Sequence, residues 1–167
     1  MKDRWRGRRA GLAAVTVLLV GAAAVSAAGA DAHGSVVVTD PTGRVLASVP
    51  LSADTSFSLR YRNSVYGTLA EERFVTREDG LFALDRLSAE QLAVLEEYYA
   101  VETRPIAADD GWWRAPPAYE LEVDELRVAA TDLGRRTLLV EGRPPVDLWR
   151  LVPDSSPSIV ISIEGRP

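Results

Sequence analysis

The chain contains no cysteine and only one histidine, His33, among its 167 residues. The absence of cysteine excludes disulfides, thiol nucleophiles, a lipid-bearing cysteine and thiolate zinc ligands. With a single histidine near the start of the chain, a Ser–His–Asp triad would depend on His33 alone. A zinc site built on imidazoles would lack its further histidine ligands. Asp109-Asp110 is the nearest approach to an oxygen-only calcium site, but it lacks the spacing of a calcium loop. The sequence therefore predicts no catalytic residue, no metal and no cofactor.

Lysine is almost absent too, because Lys2 is the only one. Residues 1–30 hold five of the 19 basic residues and one of the 24 acidic ones, so the rest has 14 basic and 23 acidic residues and a formal net charge of −9. A domain of that charge repels phosphate backbones, so we expect no nucleic-acid partner. It is also a poor match for anionic lipid surfaces.

The first 30 residues have the pattern of an export signal. Five basic residues precede an uncharged stretch from Ala10 to Ala30, and small residues follow its apolar centre. The pattern predicts a cleaved signal peptide. The 21 uncharged residues are also long enough for an uncleaved anchor. In both cases residues 31–167 form one exported, extracytoplasmic domain, either free or held at the outer face of the cytoplasmic membrane.

The remaining chain alternates apolar and polar residues with a period of two, which is typical of half-buried strands. Residues 35–39 and 45–51 flank the turn Asp40-Pro41-Thr42-Gly43 and predict a hairpin. Further strand patterns occur at 57–62, 69–75, 81–84, 119–123, 126–130, 137–141, 146–152 and 158–164. Many short strands with frequent turns predict an all-β fold, a small antiparallel β-sandwich or partly open barrel.

One helix is expected in this part of the chain. Ser88-Ala89-Glu90-Gln91 fits a capping box, and Leu92, Leu95 and Tyr99 follow at helical spacing, which predicts a helix over about 89–99. Residues 104–117 contain three prolines around Trp112-Trp113 and are expected to form a long loop.

The segment from Phe57 to Arg73 has the most distinctive polar pattern. Arg60 and Arg62 share the strand face opposite Phe57, Leu59 and Tyr61, and arginine pairs with carboxylates in a bidentate manner. Glu71 and Glu72 follow on the next strand, where adjacent residues point to opposite faces, so we expect one of them to face inward and to pair with an arginine. An internal ion pair and an anion-binding patch both remain open. The candidate binding residues are Arg60, Arg62, Asn63, Ser64, Glu71 and Glu72.

This segment resembles domain of unknown function 1850, a family of small exported proteins. The resemblance rests on the aromatic-x-hydrophobic-x-aromatic strand Phe57 to Tyr61, on Asn63-Ser64-Val65, and on the downstream glutamates. The family has histidine where this chain has Asn63, and it often has a glycine-rich stretch where this chain has residues 88–99. The resemblance implies an accessory protein of tripartite (TRAP) transporters of the TAXI type, which import organic anions.

Three functions follow as hypotheses. The first is an exported accessory binding module, without catalysis, whose partners are a transporter permease, its solute-binding protein or a small organic anion. The second is a small hydrolase or isomerase that uses a carboxylate such as Glu71 or Glu72. The third is a structural envelope domain. A concave pocket that holds Arg62 and an unbridged glutamate would favour binding, whereas a closed ion pair in a packed core would favour a structural role.

Overall fold

The computed structural model describes residues 34–51, 56–77 and 80–165, so the predicted export signal, residues 1–30, lies outside the described residues. The helical segments within these ranges lack the length and the apolar character that a membrane-spanning helix requires. The described ranges contain twelve strands: β1 (Ser35–Thr39), β2 (Val45–Pro50), β3 (Ser56–Arg62), β4 (Leu69–Thr76), β5 (Phe82–Ala89), β6 (Ile106–Ala107), β7 (Trp113–Ala115), β8 (Glu122–Val123), β9 (Glu125–Ala129), β10 (Thr137–Val140), β11 (Val146–Asp147) and β12 (Ser158–Glu164).

The smaller sheet has four antiparallel strands in the order β2-β1-β12-β9. The predicted hairpin of β1 and β2 is confirmed. Its turn is held by the Asp40 carboxylate, which accepts hydrogen bonds from the backbone N–H groups of Thr42 and Arg44 at 2.9 and 3.1 Å. Gly43 supplies the positive φ of 86° that the turn requires.

The larger sheet has the order β11-β10-β3-β4-β5-β7-β6, with β8 paired to β5. All of its pairings are antiparallel. Strand β3 lies near the middle, and its predicted alternation is confirmed: Phe57, Leu59 and Tyr61 are buried whereas Arg60 and Arg62 are exposed. One face of this sheet is therefore apolar and the opposite face carries the arginines.

The two sheets pack face to face over one main core. Valines of β1 and isoleucines of β12 meet large apolar side chains of β3, β4, β5 and β10. Phe57, Phe74 and Phe82 lie at its centre, with ring centroids 5.1 to 5.7 Å apart. Burial of these aromatic and β-branched side chains supplies the stability that disulfides cannot supply here. The predicted all-β fold with antiparallel sheets is confirmed, and of the two expected architectures, a sandwich or a partly open barrel, the two packed sheets form the sandwich.

A short helical segment covers a second cluster on the same face of the larger sheet. Val94–Tyr98 form a single π-helical turn, and Val94 and Leu95 pack against Tyr61, Ala70 and Leu87. The expected helix is present but begins later, and the capping box is wrong. Ser88 is buried within β5, opposite Glu71, and the Glu90 carboxylate accepts a hydrogen bond from the Leu69 N–H at 2.9 Å.

Two other expectations need correction. Residues 104–117 are not a simple loop, because β6 and β7 form a small hairpin that extends the larger sheet. The expected strand at 119–123 shortens to β8, and that at 146–152 becomes β11 followed by a 3-10 turn, Leu148–Arg150. These segments lie at the edges of the sandwich, where few neighbouring strands are available to form a continuous hydrogen-bonded ladder.

Candidate binding site

The arginine-bearing face of the larger sheet, hereafter the outer polar face, holds part of the predicted site. Arg60 of β3 lies opposite Glu71 of β4, and its Nε and Nη2 donate to the Glu71 carboxylate at 3.1 and 2.9 Å. The Arg60 guanidinium also lies over the Trp112 ring, 5.6 Å from its centroid. The charges of Arg60 and Glu71 are therefore matched to each other.

Arg62, Asn63 and Ser64 build the turn that follows β3. The Arg62 guanidinium donates to the Gly67 carbonyl. The buried Asn63 side chain accepts hydrogen bonds from the N–H groups of Val65 and Tyr66 at 3.0 and 3.2 Å, whereas Ser64 is exposed. The structure does not bring Arg62 together with either glutamate. The geometry gives Asn63 the role of fixing a turn.

Glu72 lies on the opposite face of the sheet from Glu71, as strand geometry predicts. Its side chain points between the two apolar clusters, where it accepts hydrogen bonds from Arg136 Nη1 at 3.1 Å and from the Tyr99 hydroxyl at 2.8 Å. The prediction that one of the two glutamates faces inward and pairs with an arginine is confirmed. Both predicted glutamates therefore belong to closed ion pairs.

Arg86 of β5 was not singled out by the sequence analysis. It faces Arg73 across the β4–β5 ladder, beside a bulge that leaves Asp85 as the extra residue. Arg73 donates to Asp85 at 2.6 Å and to the Ser56 hydroxyl at 3.1 Å, so its charge is matched. The buried Nε of Arg86 has no hydrogen-bond partner in the described part of the chain. The one available signal was the charged pair Asp85-Arg86 within an otherwise apolar strand.

Two depressions of the outer polar face meet at Arg86. One has a volume of about 780 Å³ and runs along the β6–β7 hairpin, past Ile106, Ala107 and Pro116. The other, of about 250 Å³, lies over β3 and β10 and is lined by Ser58, Arg73 and Glu141 among others. Arg86 lines both depressions, so its guanidinium stands at the junction of an apolar wall and a polar one.

The carboxylates of the larger depression differ in their pairing. Asp110 accepts hydrogen bonds from the Trp112 N–H and from Arg114, and these donors hold the pKa of Asp110 below its usual range. Asp109 is exposed, and the structure shows no ion pair for it within the described ranges. Its negative charge therefore opposes an anion bound in the same depression.

This arrangement suits binding by charge and hydrogen bonding. A guanidinium can donate two parallel N–H hydrogen bonds to a carboxylate, and the adjoining apolar wall can contact a hydrocarbon chain. Among the described residues, no group of three or more His, Asp or Glu side chains is placed to hold a metal ion.

Comparison with protein-family models, with curated proteins and with solved structures finds no match to this chain. The resemblance to domain of unknown function 1850 therefore stays a prediction, and the site is argued from its geometry.

Proposed function

We propose that this chain is an exported, non-catalytic accessory module that binds a small organic anion on the outer polar face. The observation that carries the proposal is Arg86, whose buried Nε lacks a partner at the junction of two depressions. Buried polar groups in native proteins are almost always hydrogen-bonded. A ligand that brings an acceptor to Arg86 satisfies this requirement.

The neighbouring arginines are already ion-paired, which favours Arg86 as the residue that contacts the anion. Arg60 is paired with Glu71, Arg73 with Asp85, and Arg114 with Asp110. An anion that bound to one of these arginines would have to displace a carboxylate that is already in place. Arg86 offers its charge without that competition, so we assign it the main contact with the carboxylate of the ligand.

The shape of the larger depression indicates the rest of the ligand. Ile106 is 73% exposed and lies on the β6–β7 hairpin beside Ala107 and Pro116. An organic anion with a short hydrocarbon chain removes this apolar surface from water while its carboxylate reaches Arg86. A small inorganic anion would contact Arg86 but would leave the apolar surface exposed to water.

The cellular context of the proposal comes from the sequence. The signal pattern of residues 1–30 supports export, and the family resemblance supports an association with a TAXI-type transporter, through its permease or its solute-binding protein. Binding of an organic anion is compatible with that context. The geometry of the outer polar face does not depend on it.

The alternatives from the sequence have less support. A carboxylate-dependent hydrolase or isomerase needs a glutamate that can exchange a proton with substrate, but Glu71 and Glu72 are both engaged by arginine. The closed Glu72–Arg136 pair favours a structural role for that pair alone. Arg86 is outside it and remains available for a ligand.

Isothermal titration calorimetry with hexanoate and with uncharged hexanamide tests the proposal. Hexanoate is expected to bind at least tenfold more tightly, because its contact with Arg86 is charge-assisted. Arg86→Gln should abolish this preference, whereas Arg127→Gln on the smaller sheet should retain it. Asp109→Asn should strengthen hexanoate binding. Equal binding of the two probes, or full hexanoate affinity in Arg86→Gln, would refute the proposal.

A further inference from the structure

A second, more enclosed cavity lies inside the sandwich, on the face of the larger sheet opposite Arg86. Its volume is about 160 Å³. Apolar side chains from both sheets and from the segment before β8 form its walls: Phe74, Leu84, Leu87, Leu121, Leu126 and Val128. Tyr119, which is 69% exposed, also lines it and therefore marks its rim. We call this space the Glu72 cavity.

The polar end of the Glu72 cavity is built from Glu72, Tyr99 and Arg136. The Glu72 carboxylate accepts from Arg136 Nη1 and from the Tyr99 hydroxyl, and that hydroxyl lies 2.5 Å from the Tyr61 hydroxyl. The Arg136 guanidinium stacks over the Tyr61 ring, 4.6 Å from its centroid. These contacts fix each polar side chain in position before any ligand arrives.

One donor at this end remains without an acceptor. The buried Nε of Arg136 has no hydrogen-bond partner in the described part of the chain. The charge of Arg136 is already matched by Glu72, and the Arg136 side chain lines the cavity, so its spare N–H lies beside a neutral ion pair at this end of the cavity. An uncharged acceptor such as a carbonyl oxygen satisfies that N–H. A carboxylate would place a second negative charge next to Glu72.

We propose that the Glu72 cavity binds an uncharged molecule the size of a single six-membered ring that carries one hydrogen-bond acceptor. Size supports this choice, because an apolar protein cavity of about 150 Å³ holds benzene. The walls contact the ring, and the Arg136 Nε–H donates to the acceptor. This ligand class and this location both differ from those of the anion proposed for the outer polar face.

Calorimetric titration of the purified chain with benzaldehyde, toluene and benzoate tests the inference. Benzaldehyde and toluene have nearly the same shape, but only benzaldehyde carries an acceptor. Benzaldehyde is expected to bind about tenfold more tightly than toluene, the factor that one hydrogen bond to a charged donor provides. Arg136→Lys keeps the positive charge without the Nε–H and should remove the difference between the two probes.

If Arg136→Lys does not fold, a variant of a residue that lines the cavity still tests the inference. Ala118→Leu introduces a larger side chain into the cavity wall away from the ion pair, and it should weaken both benzaldehyde and toluene at least tenfold. Arg127→Gln, which removes an exposed arginine paired with Glu125, should leave benzaldehyde binding unchanged and serves as the matched control. The inference would be overturned if benzaldehyde did not bind, or if Ala118→Leu did not weaken its binding. It would also be overturned if benzoate bound more tightly than benzaldehyde to the Arg86→Gln variant, in which the proposed anion site is removed.

Discussion

Arg136→Met is expected to destabilise the domain much more than Arg60→Met, although each variant removes one arginine–glutamate ion pair. The side chains of Arg136 and Glu72 are only 16% and 19% exposed, whereas Arg60 is 44% exposed. Arg136→Met leaves Glu72 among apolar side chains with Tyr99 as its remaining donor. An unmatched buried carboxylate costs about 3–5 kcal/mol. Partial solvation and the Tyr99 hydrogen bond reduce our expectation to about 2–3 kcal/mol.

Arg60→Met should cost less, about 1 kcal/mol, because Arg60 is 44% exposed and because Glu71, although only 18% exposed, lies on the outer polar face rather than among the core side chains. Urea unfolding followed by tryptophan fluorescence measures both variants, and the melting temperature of Arg136→Met should fall by on the order of 10 °C. The double variant Glu72→Gln/Arg136→Met should recover part of the loss, because it removes the unmatched charge. Equal losses in the two single variants, or no recovery in the double variant, would refute this account of the Glu72–Arg136 pair.

Two further predictions concern stability. Burial, reinforced for Tyr99 by the nearby Glu72 charge, raises the pKa of Tyr99 and of Tyr61 above the usual value of 10.0. Unfolded tyrosines then ionise first, so stability is complete below pH 10 and falls as the pH rises above it. Tyr99→Phe should make the decline of the free energy of unfolding above pH 10 shallower, by up to about 1.4 kcal/mol per pH unit, as measured by urea unfolding at several pH values. An unchanged slope would contradict this prediction. Asn63→Ala should cost about 1–2 kcal/mol through its two turn hydrogen bonds, whereas Ser64→Ala should stay within about 0.5 kcal/mol. Equal thermal stability of both variants would argue against the turn role of Asn63.

Much of the fold could be predicted from local patterns. The period-two alternation of 57–62 and the proline-glycine turn at 40–43 are local signals, and β3 and the β1–β2 hairpin formed accordingly. The capping box failed because Ser88 completes a ladder with Glu71 on one side and Arg114 on the other. Pairing on both edges outweighs a side-chain cap that is worth about 1 kcal/mol.

The binding sites could be predicted only in part. Alternation correctly placed Glu71 and Glu72 on opposite faces, but the partner of Glu72 lies 64 residues away in sequence. The bulge at Asp85 determines the surroundings of Arg86. It places the Asp85 carboxylate against Arg73, so Arg86 has no carboxylate partner among the described residues. Such pairings arise from strand order and from single-residue shifts in register, and neither is encoded in a local pattern.

The most direct test of the central claim follows the Arg86 side chain itself. In a ¹H–¹⁵N NMR titration of the purified chain with hexanoate, the Arg86 Nε–H resonance is expected to shift downfield as its hydrogen bond to the carboxylate forms. Hexanamide should produce a much smaller shift at equal concentration, and the Arg60 Nε–H, which already donates to Glu71, should barely move. An Arg86 resonance that stays in place while other signals respond to hexanoate would contradict the assignment of the outer polar face as the anion site.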